Sequence, residues 1–125
     1  MNISLGCLLC VGFLPMICAG ISKSKSDYDN KNPRVWLAGQ SGFRARANSA
    51  QQNSWEAFLW FSVAILAVHA AGQAQTSEIE IMAVLFVILR IFYIAAYVYD
   101  FAMLRTIFWT IGFIINILIF TNAMA

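Results

Sequence analysis

The chain has 125 residues, 61% of them hydrophobic and 11% charged, with eight Lys or Arg, six Asp or Glu and a formal charge of +2. An ordinary soluble domain carries about 25% charged residues and cannot hide this much apolar surface at such a length, so the composition describes one compact integral membrane domain. Without an extended basic patch the small positive charge gives no support to a nucleic-acid role.

Four apolar stretches are candidates for helices that cross a membrane, which takes roughly 20 residues for about 30 Å of hydrocarbon. The first covers about 3–21 and contains Pro15, which a membrane helix tolerates as a kink. No charge precedes Lys23, whereas a secretory signal starts with a basic segment, so this stretch is expected to stay as the first helix. Cys7, Cys10 and Cys18 all lie within it and read as small buried hydrophobes. They have no histidine nearby for a zinc site and do not form a disulfide framework. Residues 22–42 are a polar loop with the turn-forming pairs Asn32-Pro33 and Ala38-Gly39, and Trp36 suits an interfacial turn. The second helix is expected over about 43–71, with Gly72 as its stop. A short connection, Gln73 to Glu80, leads to a third helix over about 81–104 and a fourth over about 106–122, with a tight turn between Asp100 and Arg105. His69, the one histidine, stands alone and is assigned to packing or to a hydrogen bond with a neighbour. Trp36, Trp55, Trp60, Trp109 and Tyr99 read as interface anchors or packing groups, and the run Phe113 to Phe120 as lipid-facing or helix-packing surface.

Two polar rows interrupt this apolar background. Arg46, Ser49, Asn53 and Glu56 lie on the second helix, and Arg90, Tyr93, Tyr97 and Asp100 repeat the same spacing on the third. Offsets of +3, +7 and +10 fall within an arc of about 80° on a helix, so each row is a single stripe. Ionisable groups in a spanning segment face other helices or a wet cavity, because an unpaired charge in lipid costs several kcal/mol. Arginine's planar fork suits a carboxylate, Asn and Glu serve an amino group or amide, and tyrosine hydroxyls donate to polar groups. Such a set fits a small zwitterionic ligand with apolar walls open to a lipid-soluble second substrate. No nucleophilic triad, phosphate-binding glycine loop or metal cluster is present in the sequence.

Six of the eight basic residues, Lys23, Lys25, Lys31, Arg34, Arg44 and Arg46, fall in the first loop or the first turns of the second helix. The positive-inside rule then places the first loop in the cytoplasm and both termini outside. The polar rows meet at that cytoplasmic end.

The segment Arg46-Ala47-Asn48-Ser49-Ala50-Gln51-Gln52-Asn53-Ser54-Trp55-Glu56 resembles the helix-two signature of the membrane-associated proteins in eicosanoid and glutathione metabolism. Arg90-Ile91-Phe92-Tyr93, Tyr97 and Leu104-Arg105-Thr106 resemble their helix-three signature, and the Tyr28 to Arg34 loop is similar to that of a bacterial branch. The resemblance implies an all-α bundle of four membrane-spanning helices, a homotrimer in the bacterial inner membrane, and glutathione as co-substrate between neighbouring subunits. By motif position, Asn53, Glu56, Arg90, Tyr93 and Tyr97 would hold the tripeptide. Arg105 would activate its thiol with help from Thr106, since a nearby cation raises the thiolate fraction. No metal is implied.

One position departs from the family pattern: Ser49 stands where an arginine usually contacts a glutathione carboxylate, and Arg46 is one turn earlier. The implied activity is a glutathione transferase or peroxidase acting on lipophilic electrophiles or lipid hydroperoxides. The alternatives are a non-catalytic lipid-binding or scaffold protein of the same fold and, ranked lower, a small transporter using Glu56. A structural reading also stands beside these, in which Arg46 with Glu56, or Arg90 with Asp100, neutralise charge within an assembly.

Overall fold

The computed structural model describes all 125 residues as five helices without a strand: α1 (Ile3–Ser22), α2 (Pro33–Ala38), α3 (Gly42–Ala70), α4 (Ser77–Val98) and α5 (Ala102–Asn122). Asn2 caps α1 by accepting a hydrogen bond from the Leu5 amide at 3.2 Å, which satisfies one of the amides left free at a helix start. The short α2 opens on Pro33, whose fixed φ is preorganised for a first turn. It buries none of its residues, and the Trp36 ring meets Tyr28 edge-on at 5.0 Å.

The helix stops explain where the expected boundaries hold and where they move. Gly72 ends α3 as expected: at φ 72° it lets its amide reach the His69 carbonyl and the Gln73 amide reach that of Val68. The same paired closure ends α4 at Asp100, with φ 66° and bonds from Asp100 to Tyr97 and from Phe101 to Ala96. Aspartate is among the few non-glycine residues that visit this left-handed conformation with some regularity. The third long helix therefore covers Ser77–Val98 rather than about 81–104, and the fourth begins at Ala102 rather than near 106. At the other end of α4 the second half of the expected connection, from Ser77, is already helix. Thr76 caps it at 3.3 Å, and Glu78 and Glu80 occupy its first turn, where negative charge is favoured.

The long helices run alternately up and down. Ser4 at the start of α1 meets His69 at the end of α3, Arg46 near the start of α3 meets Val98 at the end of α4, and Phe92 of α4 stacks on Phe108 of α5. α1 packs chiefly on α3, and α5 chiefly on α4, with α3 also touching both α4 and α5. One buried cluster, including Phe61, Ile65, Val68, Ile79, Phe86, Ile115 and Ile119, fills the half nearest the chain termini. A smaller one, Leu14, Cys18, Ala50, Tyr93 and Ile94, lies in the half nearest the basic loop.

Three helices, α1, α4 and α5, are long and apolar enough to cross a membrane. α3 has 29 residues, about 43 Å at the helical rise, but its first half is polar. The bundle is apolar outside as well as inside: Leu9, Phe13, Leu59, Leu66, Ile81, Ile88 and Phe92 are all exposed. That pattern suits a lipid environment, and the chain is an integral membrane protein. The Phe113 to Phe120 run divides as a helix should, with Ile115, Asn116 and Ile119 inward and Ile114, Ile117, Leu118 and Phe120 outward.

Candidate functional site

The polar stripes of α3 and α4 converge on Arg90. This residue is 3% exposed and lines the space between α3, α4 and α5. The Nη2 group donates to Asn53 Oδ1 at 2.9 Å and, more weakly, to Ser54 Oγ at 3.4 Å. Asn53 turns its own amide toward Glu56 Oε2 at 3.4 Å, so the asparagine lies between the buried cation and an exposed carboxylate. Below the guanidinium lies the Tyr93 ring, 4.0 Å from Arg90 Cζ. Tyr93 meets Tyr97 edge-on at 5.8 Å, and Tyr97 in turn receives the Arg105 guanidinium over its face at 4.3 Å. Glu56, Asn53, Arg90, Tyr93, Tyr97 and Arg105 thus form one connected series across three helices.

Its far end opens into a groove of about 270 Å³ lined by Asn53, Tyr93, Tyr97, Arg105, Thr106 and Trp109. Because α5 starts at Ala102, Arg105 sits in the first turns of that helix, and its amide donates to the Phe101 carbonyl at 3.0 Å. The arginine charge and the positive end of the α5 dipole therefore act at the same mouth, a combination that favours an anion. Thr106 lines the groove while its hydroxyl donates back to the Ala102 carbonyl at 3.1 Å.

The other expected site residues are placed differently. Arg46 donates from Nε to the Val98 carbonyl at 3.1 Å, capping α4. Ser49 is half-buried and makes no side-chain hydrogen bond. Within one chain Arg46 does not pair with Glu56, since ten residues along a helix separate them by about 15 Å. Arg90 does not pair with Asp100 either, because the left-handed turn carries Asp100 out of α4 to an exposed position. The single ion pair is the exposed Lys25–Asp27 at 3.7 Å, in the loop. His69 takes the neighbour its isolation implied, with Nε2 3.1 Å from Ser4 Oγ.

Four residues enter the site without having been singled out for it. Ser54 is the second partner of Arg90, and Trp60, Trp109 and Asn116 line a pocket with Arg90 and Glu56. Asn116 had a legible signal: an amide inside an apolar membrane helix must face protein rather than lipid. For the two tryptophans no such signal exists, since interface anchors and pocket walls share the same composition.

A family model described as MAPEG family matches residues 3–125, essentially the whole chain. No curated protein and no solved structure matches it.

Proposed function

The chain belongs to the MAPEG family, and from that premise we propose that it is a membrane-bound, glutathione-dependent transferase or peroxidase acting on lipophilic electrophiles or lipid hydroperoxides. The observation that carries this reading is the unbroken series from Glu56 through Asn53, Arg90, Tyr93 and Tyr97 to Arg105, ending in an open groove. A zwitterionic tripeptide needs separated sites for its ammonium and carboxylate groups, and the series offers a carboxylate at one end and a cation at the other. Arg105 stands at the groove with Thr106, where a guanidinium together with a helix N-terminus would hold a thiolate. The thiolate would then attack the electrophilic carbon of a second substrate arriving from the lipid, forming a thioether as the leaving group departs, or the peroxide oxygen of a hydroperoxide, breaking the O–O bond to release the alcohol and a glutathione sulfenic acid that a second glutathione reduces to the disulfide and water.

In this reading all four long helices span the inner membrane of a bacterium, with the basic loop cytoplasmic and the termini outside. The exposed apolar faces of α1 and α3, including Leu9, Phe13, Trp55 and Leu59, supply surface for neighbouring subunits of a homotrimer and for lipid. One observation favours a second reading, a non-catalytic lipid-binding or scaffold protein: Ser49 offers no charge to a carboxylate, and Arg46 is engaged at the end of α4.

Calorimetry of glutathione with the detergent-purified protein, with thiolate absorbance followed in the same sample, separates the two. Saturable binding with a thiolate signal is the expected result. No binding at millimolar glutathione would put the scaffold reading first.

A further inference from the structure

The loop after α1 and the first turns of α3 hold most of the basic residues, and their contacts divide them into two groups. Lys25 is engaged by Asp27 at 3.7 Å, and Arg46 by the Val98 carbonyl at 3.1 Å. The loop's other carboxylate, Asp29, accepts from the Lys31 backbone amide at 2.9 Å and from the Asn32 side chain at 3.3 Å. Lys23, Lys31, Arg34 and Arg44 form no ion pair with any carboxylate of the chain.

Two of these cations come together where α1 ends. Arg44, in the first turn of α3, donates from Nη2 to the Ser24 carbonyl at 3.2 Å, which brings its guanidinium to the residue that follows Lys23. The Lys23 ammonium lies over the Tyr28 ring at 5.4 Å, and that ring meets Trp36 of α2 edge-on. Like charges gathered at one junction repel, and an anion seated among them relieves the repulsion. The flexible four-carbon stem of Lys23 lets its ammonium swing from Tyr28 toward such an anion.

Depth and neighbours select the anion. α1 is long and apolar enough to cross a membrane and ends at Ser22, so Lys23 is the first residue past the span and its stem reaches the headgroup layer. Tyrosine and tryptophan are the rings that settle at that level. Apolar side chains accompany the cations: Phe43, whose ring lies 4.5 Å from Arg44 Cζ, and Val35, beside Arg34, are both exposed. A soluble anion matches the cations and leaves these apolar groups bare. A phospholipid with a net negative charge matches both, with a phosphate for the cations and acyl carbons for the apolar side chains.

We infer that the junction of α1, α2 and α3 is a binding site for an anionic phospholipid, its phosphate held by Lys23 and Arg44. None of these residues belongs to the series from Glu56 to Arg105, so the site goes beyond the enzymatic reading and does not depend on it.

The test uses the full chain in a neutral detergent, free of glutathione. Phosphatidylglycerol with a fluorophore at the end of one acyl chain is bound and followed by anisotropy. Unlabelled phosphatidylglycerol, phosphatidylcholine and inorganic phosphate then compete for the site at one ionic strength. Phosphatidylglycerol is expected to compete about thirtyfold better than phosphatidylcholine, and millimolar phosphate to displace nothing. Lys23→Gln should cut the preference about fivefold, and Lys23→Gln with Arg44→Gln should remove it. Lys25→Gln, an equal loss of charge from a residue already paired with Asp27, should leave it intact. Equal competition by the two lipids, or a loss in Lys25→Gln as large as in Lys23→Gln, would overturn the inference and reduce the loop to a diffuse positive field. Displacement by phosphate as effective as by phosphatidylglycerol would also overturn it, since the anion alone would then suffice. Where the double variant fails to fold, Lys23→Gln decides, because the Lys23 side chain meets an aromatic face and no carboxylate. A protein that prefers phosphatidylglycerol yet ignores glutathione would sustain this site and sink the enzymatic reading, so the two fail separately.

Discussion

The half of the bundle nearest the termini and the half nearest the basic loop solve different packing problems. In the first, Phe61 and Phe86 stack with centroids 4.4 Å apart among Ile65, Val68, Ile79, Ile115 and Ile119, all buried. In the second, the buried side chains include Ala47, Ala50, Ser54 and Cys18, and the largest are Arg90 and Tyr93. Lipid tails are as apolar as leucine, so helices in a membrane gain from close packing and internal hydrogen bonds rather than from escaping water. The terminal half takes its stability from interlocking bulk. The loop half uses small residues on α3 to leave room for a guanidinium and the hydrogen bonds that hold it.

If that division is right, the largest effect on stability comes from the dry half. Phe61→Ala opens a cavity beside Phe86 and is expected to cost about 3 kcal/mol, read as a lower unfolding temperature in detergent, with glutathione affinity kept below that temperature. A stable variant that loses ligand instead would erase the distinction. Arg105→Ala sits at the opposite pole: it should lower the thiolate signal and any turnover by about a hundredfold while leaving unfolding and subunit assembly unchanged. Full activity in that variant would remove Arg105 from the mechanism.

Two smaller effects sharpen the contrast. Ser49→Arg restores a cation four residues before Asn53 and is expected to tighten glutathione binding by about tenfold in calorimetry, with little change in stability. No gain would mean that the half-buried position of Ser49 does not face the ligand. His69→Leu removes the hydrogen bond to Ser4 between α1 and α3 and should cost about 1 kcal/mol of stability, measured by thermal unfolding. Since His69 lies in the terminal half, any change in glutathione affinity there would show that the halves are coupled.

Much of this is legible in the sequence alone. The spacing of Asn53 and Glu56 on one helix, and of Arg90, Tyr93 and Tyr97 on another, already defined two stripes, and in the structure the stripes join through the Arg90–Asn53 hydrogen bond. The Gly72 stop was readable because glycine is the common residue for a left-handed closure. The stop at Asp100 is not, since most aspartates are not in that conformation, and in the structure it carries Arg105 from the expected tight turn into the first turns of α5. Arg46 shares the stripe of Asn53, a pattern that points to a ligand-facing residue. The structure commits its Nε to the Val98 carbonyl, a partner 52 positions away that no local pattern reveals.

The sequence by itself determined that this chain belongs in lipid, that it is helical, and which residues on α3 and α4 share a face, because hydropathy and helical periodicity are properties of neighbours along the chain. Only the tertiary structure decided that Asn53 and Ser54 together hold Arg90, that Arg105 covers Tyr97 from a different helix, and that Asn116 shares a pocket with Arg90. Those relations depend on how helices distant in sequence are rotated and set in depth against one another, which is fixed by the packing of side chains from every helix at once.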